Sequence, residues 1–322
     1  MLKRIGAFLA FLAAALPAPV FAKDFPSRNI TIIVPQPPGG GTDIISRVIG
    51  QQLSQQLGVP VVIENRAGAG TVVGTEAAAK AEPDGYTLLA GLTANMAVNP
   101  SLFKHLGYDP IRDFTPVGMM AEFPFVLVVS NDFPAKSVKE LIALAQAKPG
   151  EINFASAGNG SGQHLSAELF KLMTNTNMTH VPYRGAAPAY SDVISGRTPV
   201  FFDNLSSALG KIKGGSVRAL AVTGNERAPL LPDVPTITEA GVPGYQNYVW
   251  FGLWAPKKTP SDVVQKLHQE IVKAVATPSV KAQIVRDAGV PMETPLAEIE
   301  PLVKADIAKW ADVVNRAHIE VQ

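Results

Sequence analysis

The chain alternates short apolar runs with longer segments in which apolar residues recur at helical spacing. Residues 30–34 are typical of a buried strand, and residues 42–57 carry an apolar side chain at every fourth position, which predicts an amphipathic helix. A strand over residues 61–63, a helix over 71–81 and a strand over 86–90 follow. This βαβαβ order predicts a parallel sheet with helices on its faces.

The same alternation recurs in the second half of the chain. It predicts strands over residues 125–129, 152–156, 179–182, 200–202, 217–222 and 250–255, and helices over residues 137–148, 163–173, 187–195, 261–275, 279–288 and 296–317. Ser137 and Ser261 are predicted helix caps. Two such units predict an α/β protein with two lobes, each a mainly parallel sheet flanked by helices, with a ligand cleft between them.

The long C-terminal helical tail is assigned to the first lobe. Residues 24–123 with 247–322 are therefore predicted to form lobe 1, and residues 124–246 lobe 2. Crossovers near residues 122–124 and 244–248 would form the hinge between them.

The first 22 residues have the pattern of a secretory signal peptide. Lys3 and Arg4 precede a short apolar run, and Ala22 ends a small-residue cleavage site. The run is about a dozen residues long, shorter than the ~20 that span a bilayer. We therefore predict export, cleavage after Ala22 and a periplasmic location.

Composition narrows the class of function. The full chain has 28 basic and 27 acidic residues, and loss of Lys3 and Arg4 with the signal peptide would leave 26 and 27. The charges form no runs, so a nucleic-acid or membrane-surface partner is not expected. The chain has no cysteine and its five histidines are scattered, which argues against a metal site. No nucleotide-binding loop or nucleophile elbow is present. We expect no cofactor, no metal and no catalytic residue.

Two glycine-rich segments each follow a predicted strand and open a predicted helix. We call them the first glycine loop (residues 37–43) and the second glycine loop (residues 158–162). Glycines let backbone N–H groups approach a ligand, and a helix N-terminus favours an anion, so both loops predict carboxylate binding. Thr42 or Asp43 is a candidate cap of the first helix, with Asp43 turned to the backbone, and Ser161 caps or donates in the second.

Other polar residues follow predicted strands, where open α/β sheets place their ligands. They are Asn65, Arg66, Thr93, Asn95, Arg184, Asp203 and Asn204. For each alone, a loop-stabilising role is as plausible as a ligand contact, and their shared position favours a cleft. Asp203 would accept from a ligand hydroxyl, ammonium or water.

A set of ordered segments runs through the chain: residues 37–43, 62–70, 83–88, 108–110, 113–114, 180–185, 202–204, 218–223 and 231–236. Together they resemble the Bug family, the TctC-like periplasmic solute receptors of tripartite tricarboxylate transporters. The resemblance covers the mature chain and implies a periplasmic-binding-protein-like fold that closes on a small organic acid. It departs from the family at Gln36-Pro37, where relatives often have Phe-Ala, and at Thr71, where they often have glycine.

The glycine loops and the resemblance together nominate a set of ligand-binding residues. They are Gln36, Gly39, Gly40, Gly41, Thr42, Asp43, Thr71, Thr93, Asn95, Ser156, Asn159, Gly160, Ser161, His164, Arg184, Gly185 and Asp203.

We predict a monomeric receptor that takes up a small carboxylate (a di- or tricarboxylate, an aromatic acid or an amino acid) and delivers it to the permease subunits of a tripartite transporter. A sensor kinase is a second possible partner. The alternative is a periplasmic hydrolase with Ser161 as nucleophile, His164 as base and Asp203 as its orienting acid. A nucleophile and base three residues apart at one helix start are awkwardly placed for that chemistry.

Overall fold

The computed structural model describes residues 25–321, and the predicted signal peptide lies outside them. The strands are β1 Ile30–Val34, β2 Val61–Asn65, β3 Thr87–Leu92, β4 Phe114–Val129, β5 Asn153–Ser156, β6 Thr179–Pro182, β7 Val200–Asn204, β8 Arg218–Val222, β9 Tyr248–Pro256 and β10 Val290–Pro291. The helices are α1 Gly41–Leu57, α2 Val72–Ala79, α3 Asn99–Leu102, α4 Val138–Ala147, α5 Gly162–Thr174, α6 Ala186–Ile194, α7 Leu205–Lys213, α8 Ser261–Ala276, α9 Pro278–Arg286 and α10 Leu296–Arg316. Within this part of the chain, no helix is long and apolar enough to cross a membrane.

Two parallel three-stranded units are joined by long antiparallel strands. β1 pairs in parallel with β2 and β3, and β5 pairs in parallel with β6 and β7. β9 runs antiparallel to β3, and β4 runs antiparallel to β9, β7 and β8. The α/β class with two lobes is thus confirmed, and the sheets are mixed because β4 and β9 run against their neighbours.

β4 belongs to both sheets. Its residues Phe114 to Pro124 pair with β9, and Phe125 to Val129 pair with β7. The sequence predicted only the second half of this strand, since Pro116, Gly118 and Pro124 interrupt the pattern of a strand. The proposed lobe boundaries at 123/124 and 246/247 remain a prediction.

α10 packs across the connecting strands. Its residues Ile299, Val303 and Trp310 lie in the core cluster that also contains Leu165 of α5 and Trp254 of β9. The apolar face of α10 is therefore buried in this core. The indole Nε1 of Trp250 also donates to Asp306 Oδ2 at 2.6 Å, which ties β9 to α10.

The predicted caps have mixed outcomes. Ser137 caps α4 by accepting from the Glu140 amide, as predicted. Ser261 is wrong as a cap, because Pro260 occupies the cap position of α8 and Ser261 is its first helical residue. The sequence also missed α7, because its exposed face is polar and it starts directly after β7 without a turn signal.

Candidate functional site

A cleft of about 630 Å³ opens at the carboxyl ends of the parallel strands. Its polar lining includes Gln36, Thr93, Asn99, Gln163, Asn204, Ser206, Ser207, Asn247, Tyr248, Gln283, Arg286 and Asp287. Its apolar lining includes Ile44, Val48, Phe123, Phe125, Leu209, Phe251 and Ile284. The cleft therefore combines many uncharged hydrogen-bonding groups with an apolar wall.

The first glycine loop leads into α1 through Gly40, whose extended backbone makes it the cap residue. Thr42 and Asp43 are therefore wrong as caps, because both lie inside the first turn. Gly39 has φ +84°, a left-handed conformation that favours glycine. Within residues 25–321, the amides of Gly41, Thr42 and Asp43 have no backbone acceptor, as is usual at a helix start.

Asp43 holds this loop from behind. Its carboxylate accepts from the Gly39 amide at 2.9 Å, from Asn65 Nδ2 at 3.0 Å and from Arg47 Nε at 3.0 Å. The hydrogen bond from Arg47 is the main cause that lowers the pKa of Asp43 from 3.8 to about 2, against an opposing effect of burial. The buried Asp43 thus faces the protein and supports the loop. Beside it, Thr42 Oγ1 donates to Gln36 Oε1 at 2.6 Å.

The second glycine loop leads into α5. Ser161 caps this helix by accepting from the His164 amide at 3.3 Å, which confirms its predicted capping role. Gly160 has φ +71°, and a Cβ built there would lie 2.8 Å from Leu102 Cδ1 on α3. The second loop is therefore packed closely against α3.

His164 is turned away from the cleft and is buried. Its Nδ1 accepts from the Gly160 amide at 3.1 Å, and its ring stacks on His180 with the centroids 3.8 Å apart. Burial, together with the neighbouring His164, lowers the pKa of His180 to about 4. His180 Nε2 lies 2.6 Å from the hydroxyl of Ser156.

A third helix N-terminus reaches the cleft, and the sequence did not predict it. α7 begins at Leu205, and its first-turn residues Ser206 and Ser207 line the cleft with Asn204. Asp203 is fully buried beneath them, where it accepts from Gln163 Nε2 at 3.3 Å and from the Ser207 hydroxyl. Asp203 thus connects the first turns of α5 and α7.

The charged side chains of the cleft come from one segment, the C-terminal end of α9. Among the described residues, Arg286 and Asp287 are the charged side chains that line it. Gln283 connects them, because its amide oxygen accepts from Arg286 and its Nε2 donates to Asp287 Oδ2 at 2.8 Å. These residues lie at the C-terminal end of α9, far along the chain from both loops, so no local motif marks them.

Thr71 lies beside the cleft in an unusual backbone conformation. Its φ is +83°, and Ala69 and Gly70 before it are also left-handed. A β-branched residue rarely adopts this conformation, so the surroundings must enforce it. Asn99, which lines the cleft, donates to Gly70 O at 3.0 Å and to Thr71 Oγ1 at 3.1 Å.

The nominated residues therefore fall into two groups. Those that line the cleft are Gln36, Gly39, Gly41, Thr93 and Gly160. The others are not part of the lining: Gly40, Thr42, Asp43, Thr71, Asn95, Ser156, Asn159, Ser161, His164, Arg184, Gly185 and Asp203. Within residues 25–321, no cluster of His, Asp or Glu has the arrangement of a metal site.

Comparison with known proteins identifies the family. A family model described as the tripartite tricarboxylate transporter family receptor matches residues 45–319. The chain belongs to this receptor family. The resemblance drawn from the sequence is thereby confirmed.

Individual relatives cover nearly the whole chain. The protein BugT of Bordetella pertussis is 38% identical over 316 residues, which span 98% of this chain and 96% of BugT. The structure of R. palustris Rpa4515 with adipate is 37% identical, with a TM-score of 0.79, over 93% of this chain and 100% of the other. The structure of MatC from Rhodopseudomonas palustris with bound malate is 34% identical, with a TM-score of 0.73, over 90% and 100%.

Proposed function

We propose that this receptor captures a small dicarboxylate in the cleft and delivers it to the membrane permease of a tripartite tricarboxylate transporter. The observation that carries the proposal is the convergence of the first turns of α1, α5 and α7 on one cleft. Helix N-termini present unpaired N–H donors and a partial positive charge, which suit a carboxylate. Two similar proteins have been solved with adipate and malate, both dicarboxylates.

One carboxylate of the ligand would bind at the helix starts, and the nominated glycine-loop residues would contact or support it. The apolar wall, which includes Val48, Phe251 and Ile284, would accommodate the carbon chain. Ligand bridging both lobes would favour the closed state by its differential affinity for it. Export to the periplasm, cleavage after Ala22 and a monomeric state belong to the same proposal.

The contacts of Ser161 and Asp203 favour ligand binding over hydrolysis. In the hydrolase alternative, Ser161 should contact the ring of His164, but its hydroxyl accepts from the His164 backbone amide. Asp203 bonds Gln163 and Ser207 instead of His164. These contacts stabilise helix starts and do not assemble a nucleophile, a base and an orienting acid.

Thermal unfolding with a panel of carboxylates tests the receptor function. At a ligand concentration 100 times the dissociation constant, binding adds about 2.7 kcal/mol to the free energy of unfolding, so the melting temperature should rise. Adipate, malate, tricarboxylates, aromatic acids and amino acids form the panel. If none shifts the melting temperature or gives heat in calorimetry, the receptor function is wrong.

We also propose that Arg286 binds the far carboxylate of the ligand. It is the cationic side chain lining the cleft within the described residues. Arg286→Gln should weaken adipate binding by about tenfold, the effect of one charged hydrogen bond, and leave hexanoate binding nearly unchanged. Arg112→Gln is the control, because Arg112 is an exposed residue that pairs with Asp109 and does not line the cleft. Equal losses in both variants, or no loss in Arg286→Gln, would contradict this role.

A further inference from the structure

The stacked histidines lie directly behind the second glycine loop and bond to it at two points. The His164 ring accepts from the Gly160 amide, and His180 Nε2 contacts Ser156 Oγ at 2.6 Å. Ser156 Oγ in turn accepts from the Gly158 amide at 3.1 Å. His164 therefore supports the middle of the loop directly, and His180 supports its start through Ser156. Gly160 itself lines the cleft.

The Gly160 contact determines the protonation state of His164. An amide N–H donates, so Nδ1 of His164 must carry a lone pair and the ring proton must be on Nε2. That nitrogen faces Glu168 Oε1 at 3.6 Å, which suits a donor. Protonation of Nδ1 would place two donors face to face and break the contact.

The groups around the pair come from several elements. On α5, Glu168 accepts from Lys171 Nζ at 2.8 Å. Burial would raise the pKa of Glu168, but His164 and Lys171 together hold it below its usual value. From α10, Arg316 lines a small cavity with Glu168 and Lys171. On β5, Phe154 stacks on His180 at 5.0 Å. On β7, Asp203 is occupied by Gln163 and Ser207.

We propose that His164, stacked on His180, is the positioning residue of the second glycine loop, and that it holds the loop in its ligand-binding shape only as a neutral imidazole. The inference rests on the proposed function, because the loop is taken to contact the ligand. His164 thus acts on the ligand through Gly160, without touching it.

The contact between the Gly160 amide and His164 Nδ1 determines how ligand affinity should change with pH. The binding-competent loop needs an unprotonated Nδ1, so protonation of His164 should break the contact with Gly160 and lower the ligand affinity. A second positive charge stacked at 3.8 Å is also unfavourable, so His180 remains neutral when His164 is charged.

Two substitutions separate the hydrogen bond from the packing. His164→Asn keeps an acceptor near the position of Nδ1 and does not titrate, whereas His164→Leu fills the space without an acceptor. His268→Asn is the matched control, because the Nδ1 of His268 also contacts a backbone group, the carbonyl of Val117 at 2.8 Å, on another part of the fold.

Calorimetric titration with adipate from pH 8 to pH 5 is the first measurement. We expect His164→Leu to bind about three- to tenfold more weakly at pH 8, the range for one net hydrogen bond. His164→Asn should bind like the wild type at pH 8 and lose less affinity at pH 5. Other groups also titrate in this range: the carboxyl groups of adipate, and Glu122, whose pKa is raised to about 7 by burial and by Glu226. They are the same in the wild type and in His164→Asn, so the difference between these two proteins reports on His164.

The second measurement needs no ligand. The amide resonance of Gly160 in the free protein should follow the titration of the His164 ring in the wild type and in His268→Asn, and not in His164→Asn. If Gly160 fails to respond to His164, the positioning role is wrong even for a protein that binds adipate. If no carboxylate binds but Gly160 responds, the receptor function fails and the positioning of the loop by His164 stands. Wild-type affinity in His164→Leu would also overturn the inference.

Discussion

The two glycine loops follow a strand and open a helix in the same way, but different atoms surround their glycines. In the first loop, a Cβ on Gly41 would lie 3.6 Å from its nearest neighbour, an ordinary contact, and one on Gly39 would meet nothing within 4 Å. In the second loop, a Cβ on Gly162 would lie 2.6 Å from Phe125 Cζ. The first loop thus leaves space for a ligand, whereas the second uses the missing side chains for packing.

The loops are also held by different chemistry. A charged carboxylate, Asp43, fixes the first, and a neutral imidazole, His164, fixes the second. The lowered pKa of Asp43 keeps it charged down to about pH 2. Protonation of His164 should therefore disturb the second loop and leave the first intact.

The largest effect is expected from Gly162→Ala. Overpacking against Phe125 should lower the free energy of unfolding by about 2–3 kcal/mol, measured by denaturant titration. Gly210→Ala is the control, since a Cβ there meets nothing within 4 Å and alanine favours the helix. If the two variants were equally stable, the proposed difference in packing between the two loops would be wrong.

Asp43→Asn tests the charged support of the first loop. Because the folded-state pKa is below the usual value, the stabilisation by Asp43 is present above about pH 4 and is lost as the pH falls through about 2. After allowance for the half-exposed Arg47, the variant should be about 1–2 kcal/mol less stable at pH 7, with the difference vanishing near pH 2. Denaturant unfolding at several pH values checks this, and a difference independent of pH would contradict it.

Gly41→Ala should separate binding from stability. The added methyl group lies beside Phe251 at the cleft. It should weaken adipate binding by about tenfold, because it keeps the ligand from approaching the backbone of the loop closely. The melting temperature without ligand should stay near that of the wild type. Unchanged affinity in calorimetry would mean that the ligand does not approach this backbone.

The smallest expected effect comes from Ser161→Ala. Ser161 supplies the side-chain cap of α5, whereas Gly40 supplies none to α1, so the loss should be about 1 kcal/mol in the free energy of unfolding. Denaturant titration measures it, with Ser161→Thr as the variant that keeps the cap. Equal losses in both variants would exclude capping as the cause.

The sequence predicted most elements and the location of both loops, because strand-then-helix alternation and glycine runs are local patterns. It did not predict the first half of β4, where proline and glycine interrupt a strand supported by β9. It also missed α7 and Arg286, since their contribution to the cleft depends on packing between distant segments. The inward turn of His164 likewise follows from its contact with His180, which no spacing in the sequence reveals.

The central claim is that one carboxylate ligand is held between the two loops. Amide hydrogen exchange with and without the tightest-binding acid of the panel tests it most directly. We expect ligand to slow exchange in both residues 39–43 and residues 160–164. Slower exchange in one loop alone, or in neither, would show that the ligand is not held between the two loops.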